Sequence, residues 1–163
     1  MQSELGVGSS FKVYLPRVDG PPLPEGNRIN SPAERGIETV LVVEDQEDVR
    51  SLTKALLERC GYHVIAASGG EEAIAVAEQH SGQIHLLLTD VVLSGINGKE
   101  LSERLRVLRP NLNVLFMSGY SADVIAHRGV LDPGVAYISK PFTPGGLATK
   151  VQEVLRQPPS TST

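Results

Sequence analysis

Residues 40–50 read VLVVEDQEDVR, an apolar run that ends in two adjacent acids, Glu44 and Asp45. The four apolar residues predict a strand that is buried on both faces, as in a parallel sheet. Two carboxylates directly after such a strand need an explanation, because like charges repel each other and burial of a charge is costly. Either the acids begin a helix at the protein surface, where the helix dipole favours them, or a cation lies between them.

The same arrangement of apolar run and helical pattern recurs along the chain. Five apolar runs of strand length cover residues 38–44, 62–67, 84–90, 113–118 and 135–139. The helical stripes are formed by Val49, Leu52, Leu56 and Leu57, by Leu101, Leu105 and Leu108, and by Leu147, Val151, Val154 and Leu155. This alternation predicts a doubly wound α/β domain over residues 37–157, in which right-handed crossovers place helices on both faces of a five-stranded parallel sheet.

Capping residues predict where three of the helices begin and where one ends. The N-terminal signals are Asn97 with Glu100, Ser68 with Glu71, and Thr143 before Pro144. Gly61 follows the first helical stripe, at the position of a left-handed cap.

The rest of the chain has a different composition. Residues 19–36 hold four of the eleven prolines and few apolar residues, which predicts an extended linker. Before it, residues 11–16 (FKVYLP) alternate like one strand. Because a single strand is not stable, we expect residues 1–18 to be the end of a larger domain. The polar residues 158–163 (PPSTST) predict a disordered tail.

The overall composition predicts a soluble, cytoplasmic chain. Of the 163 residues, 40% are hydrophobic and 21% are charged, and the net charge of −4 argues against a nucleic-acid partner, which needs clustered Lys and Arg. The single cysteine, Cys60, cannot form an internal disulfide, which favours a reducing compartment. No apolar run approaches the ~20 residues that span a bilayer, and the first residues lack the pattern of a secretory signal. We therefore expect no membrane contact by this chain.

Charged and polar residues stand at the ends of the predicted strands, where a doubly wound sheet binds its ligands. Glu44 and Asp45 follow the first strand, Asp90 ends the third, Ser118 ends the fourth and Lys140 follows the fifth. A cation would offset the repulsion among the three carboxylates, and an all-oxygen site of this kind suits Mg²⁺. Asp90 would then bind the metal with one oxygen and attack a phosphorus atom with the other.

Each of these residues also has an ordinary structural interpretation. Asp90 alone could form a turn at a strand end, and Lys140 alone could be a solvated charge beside a proline that stops the strand. Ser118 alone could belong to a loop. All of these interpretations would have to hold together at successive strand ends, which favours the functional one.

Residues 37–157 resemble the receiver (response-regulator) domain of two-component signalling. The resemblance rests on the segments VVEDQEDVR (42–50), LLLTDVVLSGINGKEL (86–101), VLFMSGY (114–120) and YISKPF (137–142). It implies the flavodoxin-like fold, with the strand order 2-1-3-4-5. It also implies a cis peptide bond between Lys140 and Pro141.

The resemblance implies a chemical role for each charged residue of the predicted site. Asp90 is expected to be the phosphorylation site, and Lys140 is expected to bind the phosphoryl group. The expected Mg²⁺ ligands are Glu44, Asp45, Asp90 and the main-chain carbonyl of Val92.

The resemblance also implies a conformational switch that involves two further residues. Ser118 is expected to be the switch hydroxyl and Tyr137 the switch aromatic residue, although a half-buried core tyrosine is the ordinary alternative for Tyr137. One residue departs from the family pattern: Ser94 stands where receivers usually carry proline. We expect this change to loosen the loop without removing a catalytic group.

The N-terminal segment has a resemblance of its own. Residues 3–16 (SELGVGSSFKVYLP) are similar to the last glycine box and final strand of the ATP-binding domain of histidine kinases. Their position before a linker and a receiver implies the C-terminal receiver of a bacterial hybrid histidine kinase, a phosphotransferase whose kinase core this chain lacks. The histidines stand outside any phospho-donor motif, so the phosphate must come from another domain; they are His63, His80, His85 and His127.

These observations predict a phosphorelay receiver whose partner is a phosphohistidine on a histidine kinase or phosphotransfer protein. The switch is expected to act on the face built from the fifth strand and the helices before and after it (the fourth and fifth helices). That face is also the candidate surface for a homodimer, and the oligomeric state stays open. No DNA-binding domain follows residue 157, so we expect no direct control of transcription by this chain.

Three alternatives are distinguished by the site. A docking module that keeps the receiver fold without phosphorylation would not need Mg²⁺. A flavin-binding domain of the same topology needs a loop that attracts anions after the first strand, whereas residues 44–48 are acidic. A haloacid-dehalogenase-type phosphatase needs an acid where Val92 stands.

Overall fold

The computed structural model describes residues 2–4, 8–10, 36–119 and 135–157. The chain forms two compact units, residues 1–30 and residues 31–163.

In the first unit, a short antiparallel pair of strands joins Gln2–Glu4 to Gly8–Ser10, with Gln2 opposite Ser10. The sequence pattern did not predict this pair. The strand predicted at residues 11–16, the linker up to residue 35 and the tail at residues 158–163 lie outside the described residues.

The second unit contains a five-stranded parallel sheet flanked by helices. Its elements are β1 (Thr39–Val43), α1 (Glu47–Arg59), β2 (His63–Ala67), α2 (Gly70–Gln79), β3 (Leu86–Asp90), α3 (Gly98–Leu108), β4 (Asn113–Ser118), β5 (Tyr137–Ser139) and α4 (Pro144–Arg156). The spatial order is β2-β1-β3-β4-β5, and each neighbouring pair is parallel. The predicted fold class and the order 2-1-3-4-5 are confirmed.

One predicted helix, the fourth, lies outside the described residues. The helix predicted between the fourth and fifth strands belongs to residues 120–134, outside the described residues. The helix predicted as the fifth is α4.

The core lies on both faces of the sheet. In β1, Leu41 and Val43 belong to one buried cluster, and Val40 and Val42 belong to the other. All four side chains are fully buried, because helices cover both faces. Each such side chain contributes about 1.5–3 kcal/mol relative to an exposed one. The apolar run of residues 40–43, which precedes Glu44 and Asp45, therefore contributes strongly to the stability of the core.

The helices bury faces that differ in part from the predicted stripes. In α1 the buried residues are Thr53 and Leu57, whereas Leu52 is 59% exposed. The stripe passes through positions four residues apart, and Leu52 lies about a quarter turn away from Thr53. Similarly, Leu108 at the end of α3 is 44% exposed. The inclusion of Leu52 and Leu108 in the core stripes was wrong.

Two predicted helix starts are confirmed. The Asn97 side chain accepts a hydrogen bond from the Glu100 N–H at 2.8 Å, and the Thr143 hydroxyl accepts one from Gly146 at 3.1 Å. Gly61, after α1, has a φ of 97°, as predicted for a left-handed cap. The predicted cis bond between Lys140 and Pro141 is also present.

The predicted start of α2 was wrong by one residue. The cap is Gly69 rather than Ser68, and Ser68 donates both its N–H and its hydroxyl to Glu72 instead of pairing with Glu71. A Cβ atom at Gly70 would lie 2.2 Å from Ile96, so close packing rather than capping places glycine at the first residue of this helix. In the described parts of the chain, no helix has both the length and the apolar character that a membrane span requires.

Candidate functional site

The carboxyl ends of β1, β3 and β5 bring three charged residues of the predicted site together. The Lys140 ammonium donates hydrogen bonds to Glu44 Oε2 at 2.5 Å and to Asp90 Oδ2 at 2.6 Å. The strands end at nearly the same level, since Val43 pairs with Thr89. Strand register therefore places the first acid after β1 beside the last residue of β3, and a lysine lies between them.

Burial makes this contact electrostatically strong. The Glu44 side chain is fully buried, and those of Asp90 and Lys140 are 13% and 18% exposed. Burial alone would lower the pKa of Lys140, but its hydrogen bonds and its attraction to Asp90 and Glu44 outweigh burial and raise the pKa above the ordinary value. Lys140 is therefore held as a cation, and it neutralises two carboxylates in a region of low dielectric constant.

Main-chain donors bind the remaining oxygens of the same two carboxylates. The Gln46 N–H donates to Glu44 Oε1 at 3.3 Å, and the Val92 N–H donates to Asp90 Oδ1 at 3.2 Å. Both donors belong to the loops that follow the strands. The orientation of each carboxylate is thus fixed from two sides.

Asp45 is oriented differently from the other two acids. It is exposed, and its Oδ2 accepts a hydrogen bond from the Ser94 hydroxyl at 2.9 Å. Among the described residues, no group of three or more acidic, histidine or cysteine side chains is arranged to hold a metal ion. The three predicted carboxylates therefore do not converge on one point in this structure: Lys140 holds two of them and Ser94 holds the third.

The donor chemistry nevertheless fits Mg²⁺. Carboxylate and carbonyl oxygens are its preferred protein ligands, and Glu44, Asp45, Asp90 and Val92 supply them from two adjacent loops. A rearrangement of the Asp45 side chain and a change in the contacts of Lys140 would be needed for these oxygens to share one ion.

Ser118 and Tyr137 lie in the two strands nearest the edge of the sheet. Ser118 ends β4, is 1% exposed, and its carbonyl accepts a hydrogen bond from the Lys140 N–H at 2.7 Å. Tyr137 begins β5 opposite Phe116, and it is partly buried against the first core cluster. The placement of Tyr137 agrees with the ordinary interpretation of a half-buried core tyrosine, and the main chain links Ser118 directly to Lys140.

The site also depends on residues that the sequence interpretation did not select. Arg50, in the first turn of α1, donates to the carbonyls of Glu44 and Asp45 at 2.7 and 3.4 Å. Gly98, at the start of α3, packs so closely that a Cβ atom there would lie 2.1 Å from the Asp90 carbonyl oxygen. The spacing between the acids and Arg50 was a weak signal for its contact, whereas the contact at Gly98 appears only once the loop is folded.

Comparison with known proteins identifies a family for this geometry. The family model described as "Response regulator receiver domain" matches residues 40–152. The sensor kinase CckA of Brucella abortus (strain 2308) is 33% identical over 163 residues, which cover 95% of this chain and 17% of that protein. The crystal structure of the receiver domain from a hybrid histidine kinase CckA is 36% identical, has a TM-score of 0.62, and aligns over 72% of this chain and 99% of that one.

A second relative is a transcriptional regulatory protein rather than a sensor kinase. The alkaline phosphatase synthesis transcriptional regulatory protein PhoP of Bacillus subtilis (strain 168) is 33% identical over 118 residues, which cover 72% of this chain and 48% of that protein. The chain thus spans about half the length of this regulator and about one sixth of the sensor kinase. The matched residues 40–152 hold the parallel sheet apart from its first residue, Thr39, and all three charged residues of the site, and this chain belongs to the response regulator receiver family of two-component signalling.

Proposed function

We propose that this chain accepts a phosphoryl group from a phosphohistidine onto Asp90 and changes conformation in response. The observation that carries the proposal is the contact of Asp90 with Lys140 at 2.6 Å, beside a fully buried Glu44, at the end of a parallel sheet where such folds bind ligands. An aspartate beside a fixed ammonium is suited to a reaction that brings further negative charge to it.

The transfer exchanges one bond to phosphorus for another. One carboxylate oxygen of Asp90 forms a bond to phosphorus, the bond between phosphorus and the histidine nitrogen breaks, and its electron pair leaves with the imidazole. Lys140 attracts the oxygens of the incoming group, which carries about −2 charge once it is attached. The rate depends mainly on positioning and charge neutralisation, and the contacts of Asp90 with Val92 and Lys140 contribute to both.

Mg²⁺ is the proposed cofactor. Bound by Glu44, Asp45, Asp90 and the Val92 carbonyl, it would supply positive charge next to the transferred oxygens. Arg50 supports this arrangement, because it holds the main chain at both acids of the pair.

The proposed response uses the strands nearest the edge of the sheet. The Ser118 hydroxyl forms a hydrogen bond to a phosphoryl oxygen, and Tyr137 turns inward into the space that this movement opens. The short main-chain path from Lys140 through its 2.7 Å bond to Ser118 supports coupling between the phosphoryl group and β4. The face around β5 and α4 is therefore the proposed partner surface, and the proposed site for any homodimer.

The parent protein is proposed to be a hybrid sensor histidine kinase with this receiver in the cytoplasm. The match to the sensor kinase CckA leaves only about eight residues of this chain uncovered, so most of residues 1–36 fall within it. A match that extends beyond the receiver domain supports residues 1–18 as the end of an ATP-binding domain, followed by a linker. The donor would then be a phosphohistidine of the kinase or of a phosphotransfer protein.

Phosphorylation of the purified chain tests the proposal. Acetyl phosphate with Mg²⁺ should add one phosphoryl group, which is detected by intact-protein mass spectrometry or by a gel that slows phosphorylated proteins. Asp90→Asn should abolish this addition. Lys140→Ala should still accept phosphate, but it should show a smaller conformational change in amide NMR spectra on addition of beryllofluoride and Mg²⁺. Equal phosphorylation of the wild-type and Asp90→Asn chains would refute the role of Asp90, and no phosphorylation of either would favour a docking module.

A further inference from the structure

Ser94 makes a contact that the residue usual for the family could not make. Its hydroxyl donates to Asp45 Oδ2 at 2.9 Å, across 49 positions of sequence. The bond ties the loop after β3 to the loop after β1, and these loops carry the proposed cation ligands. Proline at this position has no hydroxyl and would leave that oxygen of Asp45 without this donor. The expectation that Ser94 merely loosens the loop therefore omitted its contact with Asp45.

The contact coincides with the separation of Asp45 from the other two acids. Glu44 and Asp90 face Lys140, whereas Asp45 is exposed and bonded to Ser94. Over the described ranges, no cluster of three such side chains is set to bind an ion. A lone pair that accepts a hydrogen bond is less available to a cation, and the carboxylate must turn to join the others.

We propose that Ser94 is a positioning residue that competes with the divalent cation for Asp45, and so raises the Mg²⁺ concentration at which the receiver is loaded. This inference rests on the proposed function, in which Asp45 is a metal ligand. A hydrogen bond to a charged but exposed group contributes only a modest net free energy. Its removal should therefore tighten Mg²⁺ binding about two- to tenfold. The bond would act on cation affinity and leave the nucleophile unchanged.

Two variants separate the hydroxyl from the shape of the side chain. Ser94→Ala removes the donor, and Ser94→Thr keeps it. Because Ser94 is exposed, neither change should disturb the core, and the urea midpoint without metal checks this. Mg²⁺ affinity is then measured for the wild-type chain and both variants by titration followed by amide NMR shifts, with calorimetry as a second readout.

The expected result is a lower Mg²⁺ dissociation constant for Ser94→Ala, with Ser94→Thr close to the wild type. Equal or weaker binding by Ser94→Ala, while the wild type binds Mg²⁺, would overturn the inference and leave the proposed function standing. Mg²⁺ binding by Ser94→Ala alone would support the inference in its strongest form. Absence of binding by all three chains at tens of millimolar Mg²⁺ would overturn both the inference and the proposed cofactor.

Discussion

Replacement of Lys140 by methionine tests how much the fold depends on the cation between its two acids. The substitution keeps an unbranched side chain that is one atom shorter and removes the ammonium, which lies 2.5 Å from Glu44 and 2.6 Å from Asp90. Glu44 is fully buried and would be left as a charge without its cation. Removal of one partner from a buried pair typically costs about 3–5 kcal/mol.

The structure places the expected loss at the lower end of that range. Glu44 keeps its bond from the Gln46 N–H, and Asp90 is partly exposed and can be solvated. We therefore expect Lys140→Met to lower the free energy of unfolding by about 3 kcal/mol at pH 7 without Mg²⁺. This is a large part of the ~5–15 kcal/mol that stabilises a typical domain.

Urea denaturation followed by far-ultraviolet circular dichroism measures this loss, since the chain has no tryptophan to report by fluorescence. The matched control is the double variant Glu44→Gln with Lys140→Met, which removes the buried charge as well. It should be at least ~1 kcal/mol more stable than Lys140→Met alone, because the uncompensated carboxylate is gone. A loss below ~1 kcal/mol for the single variant, or a double variant that is no more stable, would refute the reasoning.

Two further predictions concern packing and pH. Gly98→Ala would place a Cβ atom 2.1 Å from the Asp90 carbonyl oxygen, so it should lower stability in urea by about 1–3 kcal/mol, whereas Gly145→Ala, with open space around it, should not destabilise the chain. Alkaline pH should destabilise the fold, because burial raises the pKa of Tyr62 from 10.0 to about 12. For Lys140, burial alone would lower the pKa, but the hydrogen bonds to Asp90 and Glu44 outweigh it and raise the pKa. Both groups hold their protons more tightly in the folded state, so each contributes stability at low pH that is lost as the pH rises through its folded pKa, which for Tyr62 means between about pH 10 and 12. Tyr62→Phe should lose less unfolding free energy than the wild type in urea titrations from about pH 9 to 12. An unchanged slope would contradict the assignment to Tyr62.

The sequence predicted those parts of the site that follow from sheet geometry. Parallel strands end at one edge, so an acid after β1, an acid ending β3 and a lysine after β5 had to lie close together. The apolar runs were long and continuous because helices cover both faces of the sheet, and this made the order of elements readable. The family resemblance then supplied the strand order, which periodicity alone leaves undetermined.

The details that the sequence did not predict depend on side-chain rotation and on contacts between loops. Asp45 and Glu44 are adjacent in sequence, yet one bonds to Ser94 at the surface and the other is buried beside Lys140. Thr53 rather than Leu52 occupies the buried stripe of α1, because angular position decides burial and residue type only correlates with it. The contacts that form in the folded protein, rather than the sequence pattern, determine which of these side chains are buried.

Gly98 packs tightly against Asp90, so the start of α3 closes the site on one side. With the start of α3 in contact with the Asp90 carbonyl, the main chain at this aspartate has no room to retreat toward that helix. In the proposed response, we therefore expect a movement at its carboxylate to act through Lys140 and its bond to Ser118 on the outer strands. The lack of a side chain at Gly98 thus lets the main chain of α3 pack directly against Asp90 and limit its movement on that side.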